Sequence, residues 1–257
     1  MADASHELRT PLAAIRGYAE LTRRSPDPVP PDVARALTRI ESQADRMSDL
    51  VQDLLMLARL DAGRVDEHVQ VDLSRLLLEA VDDARAAGDA HRWRLELPDE
   101  PVLVEGDEHR LHQVLANLLS NAGKHTPPGS TVRVALTLGD ATASPELPAG
   151  TSGAAVVQRG VAPPGPRAEL SITDDGPGIS AELLPELFER FTRGEAGRAR
   201  DASAAGKSTG LGLAIVDAVV AAHGGAIIVT SHPGMTRFAI LLPLLHQPAG
   251  QPQASPV

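Results

Sequence analysis

The stretch Asn117-Leu118-Leu119-Ser120-Asn121-Ala122-Gly123-Lys124-His125-Thr126 decides how this chain is read. Leu111, Val114, Leu115 and Leu118 repeat at helical spacing, which predicts a helix from Asp107 to about Lys124. Asn117, Asn121 and Lys124 then fall at i, i+4 and i+7, so two amides and an ammonium share one helix face. Asparagine is a modest helix former, and two on one stripe call for a reason. Amide oxygens suit Mg2+, and an ammonium suits phosphate. A solvated polar face would show the same spacing, so the rest of the sequence has to choose.

Downstream, an alternating run Val132, Val134, Leu136 predicts a strand, as does Glu169–Thr173. The second strand runs into Asp174-Asp175-Gly176-Pro177-Gly178. There a carboxylate stands ready for a fixed hydrogen bond while glycines let backbone approach a ligand closely. An ordinary turn has the same composition. Gly206-Lys207-Ser208-Thr209-Gly210-Leu211-Gly212-Leu213 opens directly onto a helix from about Leu211 to Ala222, closed by Gly224-Gly225. Glycines at a helix N-terminus leave amide N–H groups available to phosphate oxygens. This is neither a P-loop nor a dinucleotide fingerprint. Residues Thr192 to Thr209 are small, polar and charged, as in a lid over a nucleotide. Around these lie a helix at Leu73–Ala86, a strand near Trp93–Leu97 and a short helix near Ala181–Phe188. A hairpin of Ala226–Thr230 and Thr236–Leu242 turns at His232-Pro233-Gly234. Residues 139–167, rich in Ala, Pro, Gly and Ser, read as a flexible insertion, and residues 246–257 as a disordered tail.

Upstream the pattern is purely helical. Val33, Leu37, Ile40, Ala44, Met47, Val51, Leu54 and Ala58 alternate gaps of four and three, a coiled-coil seam. Leu8, Leu12, Ile15 and Ala19 continue the alternation on a first helix. The prolines of residues 25–32 separate the two, with Asp32 placed to cap the second. Two such helices cannot bury a seam alone, so the expectation is a hairpin that dimerises into a four-helix bundle. On the first helix His6 lies about 200° around from Leu8 and therefore faces away from the seam. A neutral imidazole there can attack a phosphoryl group, with Glu7 holding the other ring N–H. Thr10, one turn on, can orient a water. Pro11 is expected to kink the helix just beyond.

Composition limits the function classes. Of 257 residues, 42% are apolar and only 2% aromatic, so the core is built from Leu, Val, Ile and Ala. The absence of cysteine excludes disulfides, thiolate chemistry and Cys-based zinc sites, and favours a reducing compartment. A formal charge of −10 argues against nucleic acid and anionic lipid as partners. No run approaches the roughly 18 apolar residues of a membrane span.

Taken in order, these stretches resemble the motifs of histidine kinases of two-component systems. SHELRTPL is similar to the H-box of their dimerisation and phosphotransfer domain. NLLSNAGKHT resembles the N-box, DDGPGI the G1-box, LFERF the F-box and GLGLAIV the G2-box of their ATP-binding domain. The resemblance implies an α+β protein: a phosphotransfer hairpin over residues 1–62, then an α/β sandwich ATP-binding domain over residues 69–245, of the type shared with gyrase and Hsp90. It implies ATP and Mg2+ as ligands, with Asp174 on the adenine amino group and Asn121 on the metal. Asn117, Lys124 and Arg193 would lie near the phosphates. His125, Gly176, Gly178, Gly206, Thr209, Gly210, Leu211, Gly212 and Thr236 complete the nucleotide-binding set. His6 would be the phospho-acceptor, assisted by Glu7, and Thr10 would assist dephosphorylation. The partners implied are a second copy of the chain and the receiver domain of a response regulator. The location implied is cytoplasmic, or the cytoplasmic side of the plasma membrane in a longer protein whose sensor and membrane segments are absent from this chain. Three positions depart from the pattern: His125 and Thr192 replace usual aromatics, and Met235 replaces a usual glycine of the last box. Two other readings stand beside this one: a phosphatase-biased or pseudokinase transmitter, and a gyrase- or Hsp90-type ATPase.

Overall fold

The computed structural model describes residues 2–25, 29–62, 68–88, 90–140, 154–192 and 209–245, and of residues 2–9 the backbone alone. They form two compact units: residues 1–64 with 186–218, and residues 65–185 with 219–257.

The first unit is built on two long helices, α1 (Ala2–Arg23) and α2 (Pro31–Asp61), packed against each other. Leu12, Ala19, Ala44 and Leu57 are buried. Arg16–Asp45 at 3.2 Å and Arg23–Glu41 at 3.0 Å tie the helices along their exposed edge. Pro11 sits inside α1. The expected Asp32 cap does not form. Pro30 is the N-cap residue and has no side-chain acceptor with which to cap, and Pro31 occupies the first helical position. Asp32 instead pairs with Arg35 one turn on. Other expected seam positions stay open to solvent in the single chain: Val33 is 44% exposed, Ile40 44% and Met47 54%. The unit also contains Glu186 of a 3-10 turn (Leu184–Glu186) and the start of α5 (Gly212–Ala222), which runs on into the second unit.

The second unit is a six-stranded mixed sheet with α3 (Leu73–Ala86) and α4 (Glu108–His125). Its strands are β2 (Arg92–Glu96), β4 (Thr131–Gly139), β5 (Ala155–Arg159), β6 (Arg167–Asp174), β7 (Ala226–His232) and β8 (Met235–Pro243), in the order β2-β4-β6-β8-β7-β5. Only the β2–β4 pair is parallel. The helix faces follow the sequence. Leu73, Leu76, Leu77, Ala80 and Val81 are buried on α3, and Leu111, Val114, Leu115 and Leu118 on α4. Asp72 caps α3 by accepting from the backbone N–H groups of Ser74 and Arg75.

Two features differ from the expectation. Residues 139–167 are not one flexible insertion: Gly139 ends β4, Arg167 begins β6, and Ala155–Arg159 form β5 on the edge of β7, while 141–153 lie outside the described residues. The physical reason is the sheet's second face. Ala226, Ile228, Ala239 and Leu241 form a buried cluster there, and Ala162, just after β5, packs on it. Small apolar residues without period can therefore cover a sheet even though they look like a linker. A second, two-stranded sheet of β1 (Val69–Asp72) and β3 (Leu103–Gly106) was also not anticipated, its strands being only four residues each. The expected helix near Ala181–Phe188 reduces to the 3-10 turn. The expected tail, 246–257, lies outside the described residues.

Candidate functional site

In the second unit the site is assembled where α4 ends and β6 runs into its glycine turn. Register places Val132, Asp174, Thr236 and Ser231 in one row across β4, β6, β8 and β7, all on one face of the sheet. Three of those four are polar and buried: Asp174 is 8% exposed, Thr236 5% and Ser231 2%. A polar row inside an apolar sheet is costly unless it has work to do.

The turn after Asp174 is pinned on three sides. Asp175 accepts the Thr131 N–H with both carboxylate oxygens, at 3.0 and 3.1 Å. The Gly176 carbonyl accepts the Gly234 N–H at 2.9 Å. The Ile179 N–H donates to Ser231 Oγ at 2.8 Å, and Ser231 in turn lies 3.2 Å from Thr236 Oγ1. Gly178 has φ +81°, and a Cβ there would stand 2.5 Å from the His232 carbonyl oxygen. Asp174 Oδ1 accepts the Gly176 N–H at 2.9 Å. Burial, opposed by that bond and reinforced by Asp175, raises the Asp174 carboxyl to about 6.

The end of α4 meets this turn through Thr126. Its hydroxyl donates back to the Ala122 carbonyl at 2.6 Å, and its methyl lies 2.7 Å from where a Gly176 Cβ would be. Asn117 and Asn121 are half-buried on α4, and Lys124 and His125 are exposed in its last turn. The structure thus brings Asp174, Gly176, Gly178 and Thr236 together beside the α4 C-terminus. Thr126, Asp175 and Ser231 are structural members of the site to which the sequence reading gave no role. The usable signal for Thr126 was its place after the last helical residue, within reach of a carbonyl four residues back.

In the first unit the expected turn Thr209–Gly212 leads into α5. Thr209 Oγ1 accepts the Leu211 N–H at 3.3 Å and donates to Asp53 of α2 at 3.4 Å. Leu211 is fully buried, and its carbonyl accepts the Ile215 N–H at 2.9 Å. The Phe191 N–H donates to the Gly210 carbonyl at 2.9 Å. Arg190 pairs with Asp61 of α2 at 2.6 Å. Burial, then Asp49, raises Asp53 to about 6 against the lowering effect of Thr209. Arg193 and Gly206 lie outside the described residues. So do the side chains of His6 and Glu7, whose backbone belongs to α1; Thr10 is exposed on the same helix.

Residues 106–246 match the family described as histidine kinase-, DNA gyrase B- and HSP90-like ATPase, and residues 1–63 match the His Kinase A (phospho-acceptor) domain. The chain belongs to the sensor histidine kinase family. This histidine kinase family member is 52% identical over 244 residues to the probable sensor histidine kinase TcrY of Mycobacterium tuberculosis, a match covering 95% of this chain and 45% of that protein. It is 47% identical over 245 residues to the sensor histidine kinase TrcS of the same organism, covering 95% and 43%. Among solved structures it resembles full-length ShkA in complex with AMPPNP, with a TM-score of 0.69, 27% identity and coverage of 95% of this chain and 45% of that one. The chain spans just under half the length of these relatives. Among the described residues no helix is long and apolar enough to cross a membrane.

Proposed function

We propose that this histidine kinase family member transfers the γ-phosphoryl group of Mg2+·ATP to His6 and then to an aspartate of a response regulator. The observation that supports it most is the buried polar row ending at Asp174, set against the end of an amide-bearing helix. A buried carboxylate with one backbone donor keeps acceptor capacity for an exocyclic amino group such as that of adenine. Thr236 stands beside it in the row, and the Gly176–Gly178 turn follows directly on it.

Asn117, Asn121 and Lys124 are assigned to the phosphates and the metal, with His125 in the same last turn of α4; Thr209, Gly210, Leu211 and Gly212 at the start of α5 are assigned to the phosphates as well, as are Arg193 and Gly206, which lie outside the described residues. Among the described residues no three His, Asp or Glu side chains cluster as a cation cage. Asn121 would hold Mg2+ through its amide oxygen, a hard ligand of the kind this ion takes. When bound, Mg2+ neutralises charge developing on the transferring group. His6 Nε2 forms the new N–P bond as the bond from the γ-phosphorus to the bridging oxygen breaks and ADP leaves. Glu7 holds the other imidazole nitrogen, and Thr10 orients a water for hydrolysis of the phosphohistidine to inorganic phosphate.

The pseudokinase alternative drew on Met235 in the last box. Met235 pairs with His232 at the turn of the β7–β8 hairpin, and Thr236 keeps its place in the row, so this departure leaves the site geometry intact. The gyrase-type alternative has no use for residues that match a phospho-acceptor domain. Incubation with γ-labelled ATP and Mg2+ is expected to give acid-labile, base-stable label on His6. His6→Gln should lose the label while binding nucleotide as before. Equal labelling of that variant overturns the assignment.

A further inference from the structure

Away from the glycine turn, two imidazoles stack on one another in the second unit. The rings of His68, directly before β1, and His223, directly after α5, lie 5.0 Å apart and 11° from parallel. His223 is 6% exposed. Its Nε2 lies 3.0 Å from the backbone nitrogen of Asp107, and its Nδ1 2.7 Å from the Val219 carbonyl oxygen. A peptide N–H can only donate and a carbonyl can only accept. Nε2 must therefore carry the lone pair and Nδ1 the proton, which makes the ring neutral and fixes its tautomer. The fit is close: a Cβ on Gly106 would stand 2.5 Å from His223 Cδ2 and 2.7 Å from Nε2.

Asp107 is also the N-cap of α4. Its carboxylate accepts from the Arg110 backbone N–H at 3.1 Å and from Arg110 Nε at 3.0 Å. The residue that His223 grips is thus the one from which the helix bearing Asn117, Asn121 and Lys124 departs.

We propose that neutral His223, stacked against His68, is a positioning residue for α4: by accepting the Asp107 N–H it sets where the amide-and-ammonium stripe lies. The inference rests on reading α4 as the nucleotide-binding helix. A proton on Nε2 would set one N–H against another and release Asp107, while placing a charge against a stacked ring. The groups facing His223 are His68 ahead of β1, Asp107 and Arg110 at the start of α4, and the Val219 carbonyl on α5. Burial, with His68 and Arg110 acting alongside it, holds His223 below the usual imidazole range against the Val219 carbonyl and Asp107. With the folded value lowered, the unfolded chain takes up the proton more readily. The contribution is therefore whole above the ordinary value of 6.5 and is lost as pH falls through the lower folded value.

Hydrogen exchange on the nucleotide-free chain between pH 8 and pH 5, corrected for intrinsic rates, tests this directly. Protection of residues 105–112 should fall at least about fivefold relative to α3 as the pH drops. His223→Gln, whose amide oxygen can accept the same N–H without titrating, should hold its protection. Where that variant does not fold, His68→Phe should move the transition to higher pH, because the neighbouring imidazole that opposes charge on His223 has gone. Titration with Mg2+·ADP over the same range should show a steeper loss of affinity in the unaltered chain than in His223→Gln. Protection that does not change with pH in the unaltered chain overturns the proposal, as does a fall of the same size in His223→Gln or, where that fails to fold, an unmoved transition in His68→Phe. An intact exchange transition with no ADP binding at any pH supports the grip on Asp107 and overturns instead the nucleotide reading of α4.

Discussion

Asp174 illustrates what a single buried charge costs in stability at a site proposed for binding. Its carboxyl titrates near 6 in the folded chain against 3.8 ordinarily. A raised acid pKa means that the folded state holds the proton better. Its stabilising share is therefore present below 3.8 and lost as pH rises through about 6. Keeping this carboxyl charged in the folded chain at pH 8 costs roughly 3 kcal/mol. Asp174→Asn keeps an oxygen for the Gly176 N–H and removes the charge. The variant should melt several degrees higher than the unaltered chain at pH 8, and the gap should close towards pH 4. Its affinity for ADP should drop by about tenfold or more, since a charge-assisted acceptor becomes a neutral one. Thermal melts across that pH range check the first claim and calorimetry the second. A lower melting temperature at pH 8 would contradict the account.

At the scale of elements, the turn between β6 and the 3-10 segment is held by side chains at Asp174, Asp175 and Ser231 and by close backbone approach at its glycines. Gly178 is its tightest point, with a left-handed φ of +81° and no room for a methyl against the His232 carbonyl. Gly129 has a similar φ of +87° but open space around it. Alanine at either position incurs the left-handed penalty of about 1–2 kcal/mol, and only Gly178→Ala adds the clash. Urea unfolding should therefore show Gly178→Ala losing about 2–4 kcal/mol and Gly129→Ala about half that. Equal losses would mean that β7 and its turn can move aside. The element scale also explains why the sequence misled at 139–167. A strand on a sheet edge needs only one partner, and β5 supplies β-branched residues at Val156 and Val157 without any alternating polar face.

For the whole molecule the open question is what covers the α1–α2 hairpin. Ile40 and Met47 stand exposed on a seam whose Ala44 is buried within one chain. A stripe of that kind on a long helix is what a second copy covers when hairpins pair into a bundle. Ile40→Glu combined with Met47→Glu should convert a dimer into a monomer, measured by sedimentation or light scattering. The catalytic unit should keep its ADP affinity. A dimer that survives both charges would place the interface elsewhere.

Much was legible in the sequence because it depends on spacing along one chain. Helical period put Leu111, Val114, Leu115 and Leu118 inward, alternation did the same for Val132, Val134 and Leu136, and the ordered glycine-rich stretches marked the family. Those signals are local, and each element's buried face follows from its own repeat. What only the tertiary structure decided are the meetings between distant segments. Thr126 touches Gly176, Ser231 takes the Ile179 N–H, Thr209 reaches Asp53, and His223 grips the residue that starts α4. A hydrogen bond across 116 positions leaves no period to read. The sequence thus determined which faces had to be buried and which residues are candidates for holding a nucleotide. The fold determined which of them stand together, because side chains far apart in the chain meet only where the strands and helices that carry them pack.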